Sequence, residues 1–326
     1  MDADPRAVER SPRPAGWRIV ASKELADHLL SVRLLVLLLL MGLAAVGIVY
    51  AATGRIREIA EDASGTPALF IRFFTAEGER LPSLLTIVGF LVPLLGIAFG
   101  FDAVSSERSQ GTLARLVSQP IRRDDVVNGK FVAGLAVIAA VLLALALVVA
   151  GVGILRLGIV PSLEEVARLL AWFVLTLAYA GVWLGLATLL SVVLRRAATA
   201  ALVGVAAWLV LTLFSNLLVG LVADVVAPLP REPTFEEALN HARWEQWLGR
   251  VSPQTLYEEA TIVLLNPEVR TAGFLLPQQV DRAVPTPLPL DQSLLVVWPQ
   301  AVTLVALVVA WFAAAYVAFM RQEVRA

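Results

Sequence analysis

The sequence predicts an all-α integral membrane protein. Six transmembrane helices run N-in/C-in, after an amphipathic interfacial helix, and carry a small helical extracytoplasmic cap. Three observations predict this. Apolar residues make up 58% of the 326 and charged residues 16%, against about 45–50% and about 25% in ordinary globular chains. Such a chain cannot cover itself with polar surface in water, so lipid must be part of its solvent. Six stretches between ionisable residues are each at least 21 residues long, and about 20 apolar residues suffice to cross the hydrocarbon core as a helix. Basic residues crowd into alternate connecting segments, the asymmetry that orients membrane proteins.

The charge-free stretches run Leu34–Gly54, Leu81–Phe101, Phe131–Leu155, Leu169–Leu194, Ala197–Ala223 and Gln292–Met320. The first follows a charged stretch of 33 residues without a small-residue cleavage site, which predicts a retained helix rather than a signal peptide. With the N-terminus inside, 15 of the 26 basic residues fall on short inner segments, Arg108, Arg122, Arg195 and both lysines among them. The domains follow: 1–33, cytoplasmic tail and interfacial helix; 34–223, spans one to five; 224–291, extracytoplasmic segment; 292–320, span six; 321–326, cytoplasmic tail.

Between the spans, local signals place further elements. Trp17, Val20, Ala21, Leu25 and Leu29 recur at helical spacing with Arg18, Lys23, Glu24 and Asp27 elsewhere, an amphipathic helix on the inner membrane surface. Ser162 with Glu165, and Thr234 with Glu237, have the spacing of capping boxes that start helices. Gly249 stands where a C-cap belongs. Ser252-Pro253 starts a second extracytoplasmic helix that stops before Asn266-Pro267. Trp172 and Trp298 suit the interfacial belt.

Composition excludes several functions. The spans hold no Asp, Glu, Lys, Arg or His, so they offer no carboxylate to relay a proton and no Ser–His pair, aspartate pair or HExxH for intramembrane hydrolysis. Cysteine is absent, His occurs twice and Met three times, which leaves few soft ligands for a metal. The two histidines, His28 and His241, read as surface or interface residues. A net charge of −1 gives no field for nucleic acid. Gly129-Lys130 is followed by Phe131, and Asp124 stands where a Walker motif needs Gly. The chain therefore binds no ATP by that motif, and active transport must draw on a separate subunit. Lysine occurs only at positions 23 and 130 against 24 Arg, a bias read as compositional.

That deduction directs attention to the inner loop 102–130. Leu113, Leu116 and Val117 form a short apolar stripe with Glu107, Arg108 and Arg115 as charged neighbours, and Pro120 stops the helix. Spacing alone leaves two readings: a short amphipathic helix that transmits a push from a docked protein, or a basic loop held inside by its charge.

A pattern in this loop then tips the balance. Glu107, Gly111, Thr112, Leu113, Pro120, Arg123, Gly129 and Lys130 follow an order that resembles the type-2 ATP-binding-cassette (ABC-2 type) transporter permeases. Within that family the chain is similar to the nitrous-oxide reductase maturation permeases. The resemblance is specific over the loop and extends in layout to nearly the whole chain, including the stretch Ser252–Pro267. It implies that the loop contains the coupling helix, on which an ABC ATPase docks through Glu107, Gly111, Thr112, Leu113, Arg115, Leu116, Pro120, Arg123 and Lys130. It also implies a second permease copy in a homodimer, and ATP with Mg on the partner rather than on this chain.

The expected function is the permease subunit of an ABC exporter in the plasma membrane of a prokaryote. An extracytoplasmic accessory protein is a further expected partner, and no nucleic acid is. The alternative is a non-transporting membrane assembly or scaffold subunit driven by a partner ATPase. Thr212, Ser215 and Asn216 in span five are candidates for the substrate path, against the commoner role of bonding to a neighbouring helix. Gly96 with Gly100, and Gly181 with Gly185, have GxxxG spacing, and Pro93 offers a kink in span two.

Overall fold

A computed structural model describes residues 15–62, 70–75, 83–111, 122–158, 160–271 and 287–322. Every regular element among them is helical. In chain order these are α1 (Gly16–Leu29), α2 (Val32–Asp62), α3 (Arg72–Thr75), α4 (Leu84–Gly100), α5 (Ser105–Ser109), α6 (Arg123–Leu157), α7 (Leu163–Val193), α8 (Ala197–Trp208), a π-helical turn (Leu209–Leu213), α9 (Ser215–Val226), α10 (Phe235–Gly249), α11 (Pro253–Leu265) and α12 (Leu290–Arg321). Four helical stretches are long and apolar enough to cross a membrane without a sharp bend: Leu84–Ser109, Arg123–Leu155, Leu163–Val193 and Leu290–Arg321. Two more qualify as bent pairs, α1 with the first half of α2 at 61° and α8 with α9 at 56°. The candidate spans thus number four to six.

The helices start where the spacing of polar residues demands. The Ser162 Oγ accepts from the Glu165 N–H at 3.3 Å while Glu165 Oε2 accepts from the Ser162 N–H at 2.8 Å. Thr234 and Glu237 repeat this reciprocal pair. Each box satisfies two amide donors that the first helical turn leaves free. Pro253 occupies the first turn of α11, with Ser252 as its N-cap, and α11 ends before Asn266. Gly158 closes α6 in the left-handed conformation, φ 66°. Gly249 departs from expectation: it is the last residue of α10, and Arg250 caps the helix at φ −68°. No left-handed residue is required there, because the chain continues through right-handed geometry directly to the cap of α11.

The core is a sandwich of α4, α7 and α12, and glycines set its spacing. A Cβ on Gly96 would lie 2.8 Å from the Ala180 carbonyl oxygen and from the Leu184 nitrogen, and one on Gly100 would lie 2.7 Å from the Ala187 Cβ. On the other side of α7, Gly181 faces Val308 and Gly185 faces Trp311, each at 3.1 Å. Both GxxxG pairs are therefore contact surfaces. In lipid, where hydrocarbon competes with apolar side chains, such close backbone approach supplies the packing gain.

α11 does more than cap the bundle. Leu256, Tyr257, Ala260, Val263, Leu264 and Leu265 are buried in the main core, wedged among α4, α7 and α12. Tyr257 stacks on Tyr179 with ring centroids 4.5 Å apart. The Trp172 Nε1–H donates to the Tyr257 hydroxyl at 3.0 Å, so Trp172 is a buried donor rather than part of the interfacial belt. Trp298 is exposed on α12.

Candidate functional site

The site is built where α1, the loop 102–130, the end of α7 and the end of α12 meet on one face of the bundle. The root of the loop is a short helix, α5, and its amide donors have a side-chain acceptor from another element. Ser191, buried near the end of α7, accepts from the Val104 and Ser105 N–H groups at 3.0 and 3.1 Å. Arg108 on α5 donates to the Val192 carbonyl and to Gln322 Oε1 beyond the end of α12. Gln322 Nε2 in turn donates to the Val192 carbonyl at 2.7 Å, and Arg123 donates to the Gln322 carbonyl at 3.3 Å. Beneath these bonds Val104, Val127, Val192 and Phe319 form a small apolar core. The two roots of the loop are thereby fastened to two long helices.

Lys130 forms the second fastening. Its side chain is only 6% exposed, and its ammonium lies 2.9 Å from Glu24 on α1 and 2.8 Å from Glu107 on α5. Glu24 also meets Lys23 at 3.3 Å. Both lysines of the chain therefore converge on one carboxylate, a placement that compositional bias does not explain. Burial disfavours the charge on Glu24, yet Lys130 and then Lys23 outweigh it and hold the carboxyl below its ordinary value. Arg33, at the start of α2, pairs with Asp102 at 2.6 Å and stacks over Phe101.

This geometry revises the reading of the loop. A single helix from Glu107 to Pro120 does not form: α5 ends at Ser109, and Gly111 takes φ 68°, a left-handed conformation that glycine adopts freely and that closes a helix. Glu107 faces inward to Lys130. Thr112, Leu113, Arg115, Leu116 and Pro120 lie outside the described residues. Of the predicted set, Glu107, Arg123 and Lys130 come together at the root of the loop. Gly111 is exposed beyond them.

The other predicted set sits on the break in the bent pair α8–α9. The Phe214 N–H reaches the Leu209 carbonyl at 3.1 Å, a π-type bond, and Ser215 begins α9. The buried Ser252 hydroxyl donates to the Leu211 carbonyl at 2.5 Å. Thr212 Oγ1 is buried without a partner among the described residues, and Asn216 is exposed. An apolar cleft beside the break is lined by Leu211, Ser215, Leu218, Val222, Leu248 and Ser252.

Sequence reasoning missed Ser191, Gln322 and Glu24. Ser191 is a polar residue near the end of a charge-free stretch, and Gln322 stands two residues beyond the last span. Both positions hint at an anchor, but neither residue carries a sign of its partner. It also missed Arg168 on the opposite face, 1% exposed, which donates to the Leu264 carbonyl at 2.9 Å, to the Leu288 carbonyl and to Ser293 while pairing with Glu164.

Comparison with known proteins bears on the whole chain. Residues 18–324 match the family described as ABC-2 family transporter protein. The chain is 34% identical over 178 residues, 50% of its own length and 57% of the relative's, to the probable ABC transporter permease protein NosY of Stutzerimonas stutzeri. It is 31% identical over 153 residues, 47% of its length and 48% of the relative's, to the protein of the same name from Pseudomonas aeruginosa. The aligned part thus spans about half the length of these relatives. With four to six apolar candidate spans and the family match covering nearly every described residue, this multi-pass membrane protein belongs to the ABC-2 transporter family.

Proposed function

We propose that the chain is the transmembrane permease subunit of an ABC exporter. It moves its substrate with ATP hydrolysed by a separate nucleotide-binding subunit docked on the loop 102–130. The face that carries α1, the loop roots and Gln322 is then cytoplasmic, all six candidate spans cross, and two copies form the permease dimer. The observation that carries this reading is the fastening of the loop. Ser191, Gln322 and Lys130 tie its roots to α7, α12 and α1, so a push on the tip is delivered to the bundle instead of being absorbed by a slack connection. The names of the relatives, permeases of ABC transporters, agree with it. ATP and Mg belong to the partner, since this chain has no Walker sequence.

The test is docking. Leu113→Asp and Leu116→Asp place a carboxylate where an apolar groove is expected, and desolvating it without a partner costs several kcal/mol. Each variant should insert normally and lose the ATPase on co-purification. Arg115→Ala should do less, as a rim charge mainly alters association rate. Full recovery of the ATPase with both Asp variants would refute docking on this loop. Orientation is tested with Arg122→Cys and Arg243→Cys in this cysteine-free chain. An impermeant thiol reagent applied to intact cells should label position 243 alone.

A further inference from the structure

We propose that the cleft between the first halves of α7 and α12 holds one acyl chain of a phospholipid whose headgroup carries a primary ammonium. Only the choice of leaflet, the outer one, rests on the permease reading above. α7 and α12 meet closely at Gly181 and Gly185, where an added Cβ would lie 3.1 Å from Val308 or Trp311. Toward the N-terminal ends of the two helices this contact gives way to a cleft of about 290 Å³. Leu175, Leu264 and Val297 line it and are buried. Ala171, Ala178 and Ala301 contribute too little side chain to fill it. Val174, Leu294, Trp298 and Val305 stand exposed along its edges.

The cleft has the length and the place of an acyl chain. The charge-free stretch of α7 begins at Leu169, and the rise from there to Ala178 is about 14 Å. One leaflet supplies about 15 Å of hydrocarbon, half of a core about 30 Å thick. The cleft therefore runs through one leaflet and closes at the glycine contact. Left empty, it would forfeit the dispersion contacts of every atom that lines it. A linear hydrocarbon chain restores them without asking any polar group to leave water.

The charges above the cleft select the headgroup. Glu164, Arg168, Ala171, Leu175 and Ala178 recur every three or four residues, so they share one face of α7. Arg168 is buried, and its five N–H donors are matched by five bonds. Two go to Glu164 Oε1 and one each to the Leu264 carbonyl, the Leu288 carbonyl and Ser293. No donor is left for a lipid phosphate. Glu165 has both oxygens engaged, by the Phe70 and Ser162 N–H groups. Glu164 is the open group. Its side chain is 56% exposed, and its Oε2 has no partner among the described residues. With Ser162 and Arg168 it lines a polar pocket of about 160 Å³. Two carboxylates against one guanidinium leave this end of the cleft negative, and Asp291 in the first turn of α12 adds to the charge. Such a place attracts an ammonium and repels a headgroup of net negative charge.

The test counts bound lipids. The permease–ATPase complex is reconstituted in nanodiscs of equal parts phosphatidylethanolamine and phosphatidylglycerol, released into mild detergent and weighed by native mass spectrometry. Each permease copy should retain a phosphatidylethanolamine, in excess over phosphatidylglycerol by about fivefold, the upper end of what an exposed ion pair supplies. Ala178→Phe, which puts a ring into the cleft, should remove bound lipid of both kinds. Glu164→Gln should keep the lipid and lose the preference. Phosphatidylcholine tests the same contact on the wild-type chain, should Glu164→Gln not fold. Its quaternary ammonium has no N–H to donate, so it should be retained less than phosphatidylethanolamine. Phosphatidylglycerol held as firmly as phosphatidylethanolamine, or lipid that survives Ala178→Phe, would overturn the proposal. A wild type without lipid, whose dimer comes apart in Ala178→Phe, would overturn it too and assign the cleft to a second copy. The same spectra show whether the ATPase is bound; its loss would overturn the permease reading and leave the lipid count standing.

Discussion

α7 and the pair α8–α9 come from stretches that the sequence does not distinguish: 26 and 27 consecutive uncharged residues, separated only by Arg195 and Arg196. One is a single helix of 31 residues, and the other breaks by 56° at a π-helical turn. The difference lies in what flanks them. α7 has neighbours at backbone distance on two sides, α4 through Gly96 and Gly100 and α12 through Gly181 and Gly185. Five of its polar residues, Trp172, Thr176, Tyr179, Thr188 and Ser191, are buried and bonded, while the buried Trp183 Nε1 has no partner among the described residues. In α8–α9 only Ala200, Gly204, Trp208 and Ala223 are buried. Its polar residues Thr212, Ser215 and Asn216 cluster at the break, where the Ser252 hydroxyl captures the Leu211 carbonyl in competition with the helical ladder. Hydropathy gives a helix permission to cross a membrane, but packing on two sides is what keeps it straight.

This comparison can be broken at the ends of α7 first. Arg168→Met removes the guanidinium that binds two carbonyls and Ser293 near the N-terminal end of α7, and leaves those buried acceptors unpaired. It should lower stability by about 3–5 kcal/mol, read as the largest drop in unfolding temperature in detergent micelles. A small drop would mean that α7 owes its order to packing alone.

The next effect is a pair of substitutions of opposite sign. Gly96→Ala drives a methyl group into the backbone of α7 and should cost about 1–3 kcal/mol. Gly220→Ala, in α9 where a Cβ meets nothing within 4 Å, should be neutral or stabilise by up to about 1 kcal/mol. Equal effects at the two sites would erase the proposed contrast between a clamped helix and a loosely held one.

A smaller change sharpens the account of the break. Ser252→Ala removes the donor to the Leu211 carbonyl and should cost about 1 kcal/mol. Amide hydrogen exchange should rise in residues 209–216 and stay unchanged in α7. Exchange that rises equally in both would show that Ser252 supports the bundle rather than the break.

The smallest effect tests how α9 is held at its far end. His241 on α10 contacts the Ala227 carbonyl at 2.7 Å, with Glu245 and Asp224 near its other nitrogen. The backbone bond to Ala227 and then the carboxylates raise its pKa above the ordinary 6.5. A folded-state pKa that is raised gives stability that is full below about 6.5 and lost as pH climbs through the raised value. Unfolding temperature should therefore fall over that window in the wild type and lose this component in His241→Gln.

What the sequence by itself determined was local or periodic. Charge-free lengths announced the helices, and a spacing of three announced Ser162–Glu165 and Thr234–Glu237, because a capping box is closed within one turn of chain. Pro253 marked the start of α11 for the same reason. The tertiary structure decided everything that depended on distant partners. Glu165 was legible as a cap, but its other oxygen accepts from the Phe70 N–H, 95 residues away. The GxxxG pairs were visible, but which helix each would meet was not. Lys130 was legible as a basic residue at the start of a span. Its burial between Glu24 and Glu107 depends on α1 folding back across the base of the loop, and no spacing in the chain encodes that turn. The break at Phe214 was likewise unmarked by hydropathy, and the Ser252 hydroxyl that meets the Leu211 carbonyl beside it comes from 41 residues later.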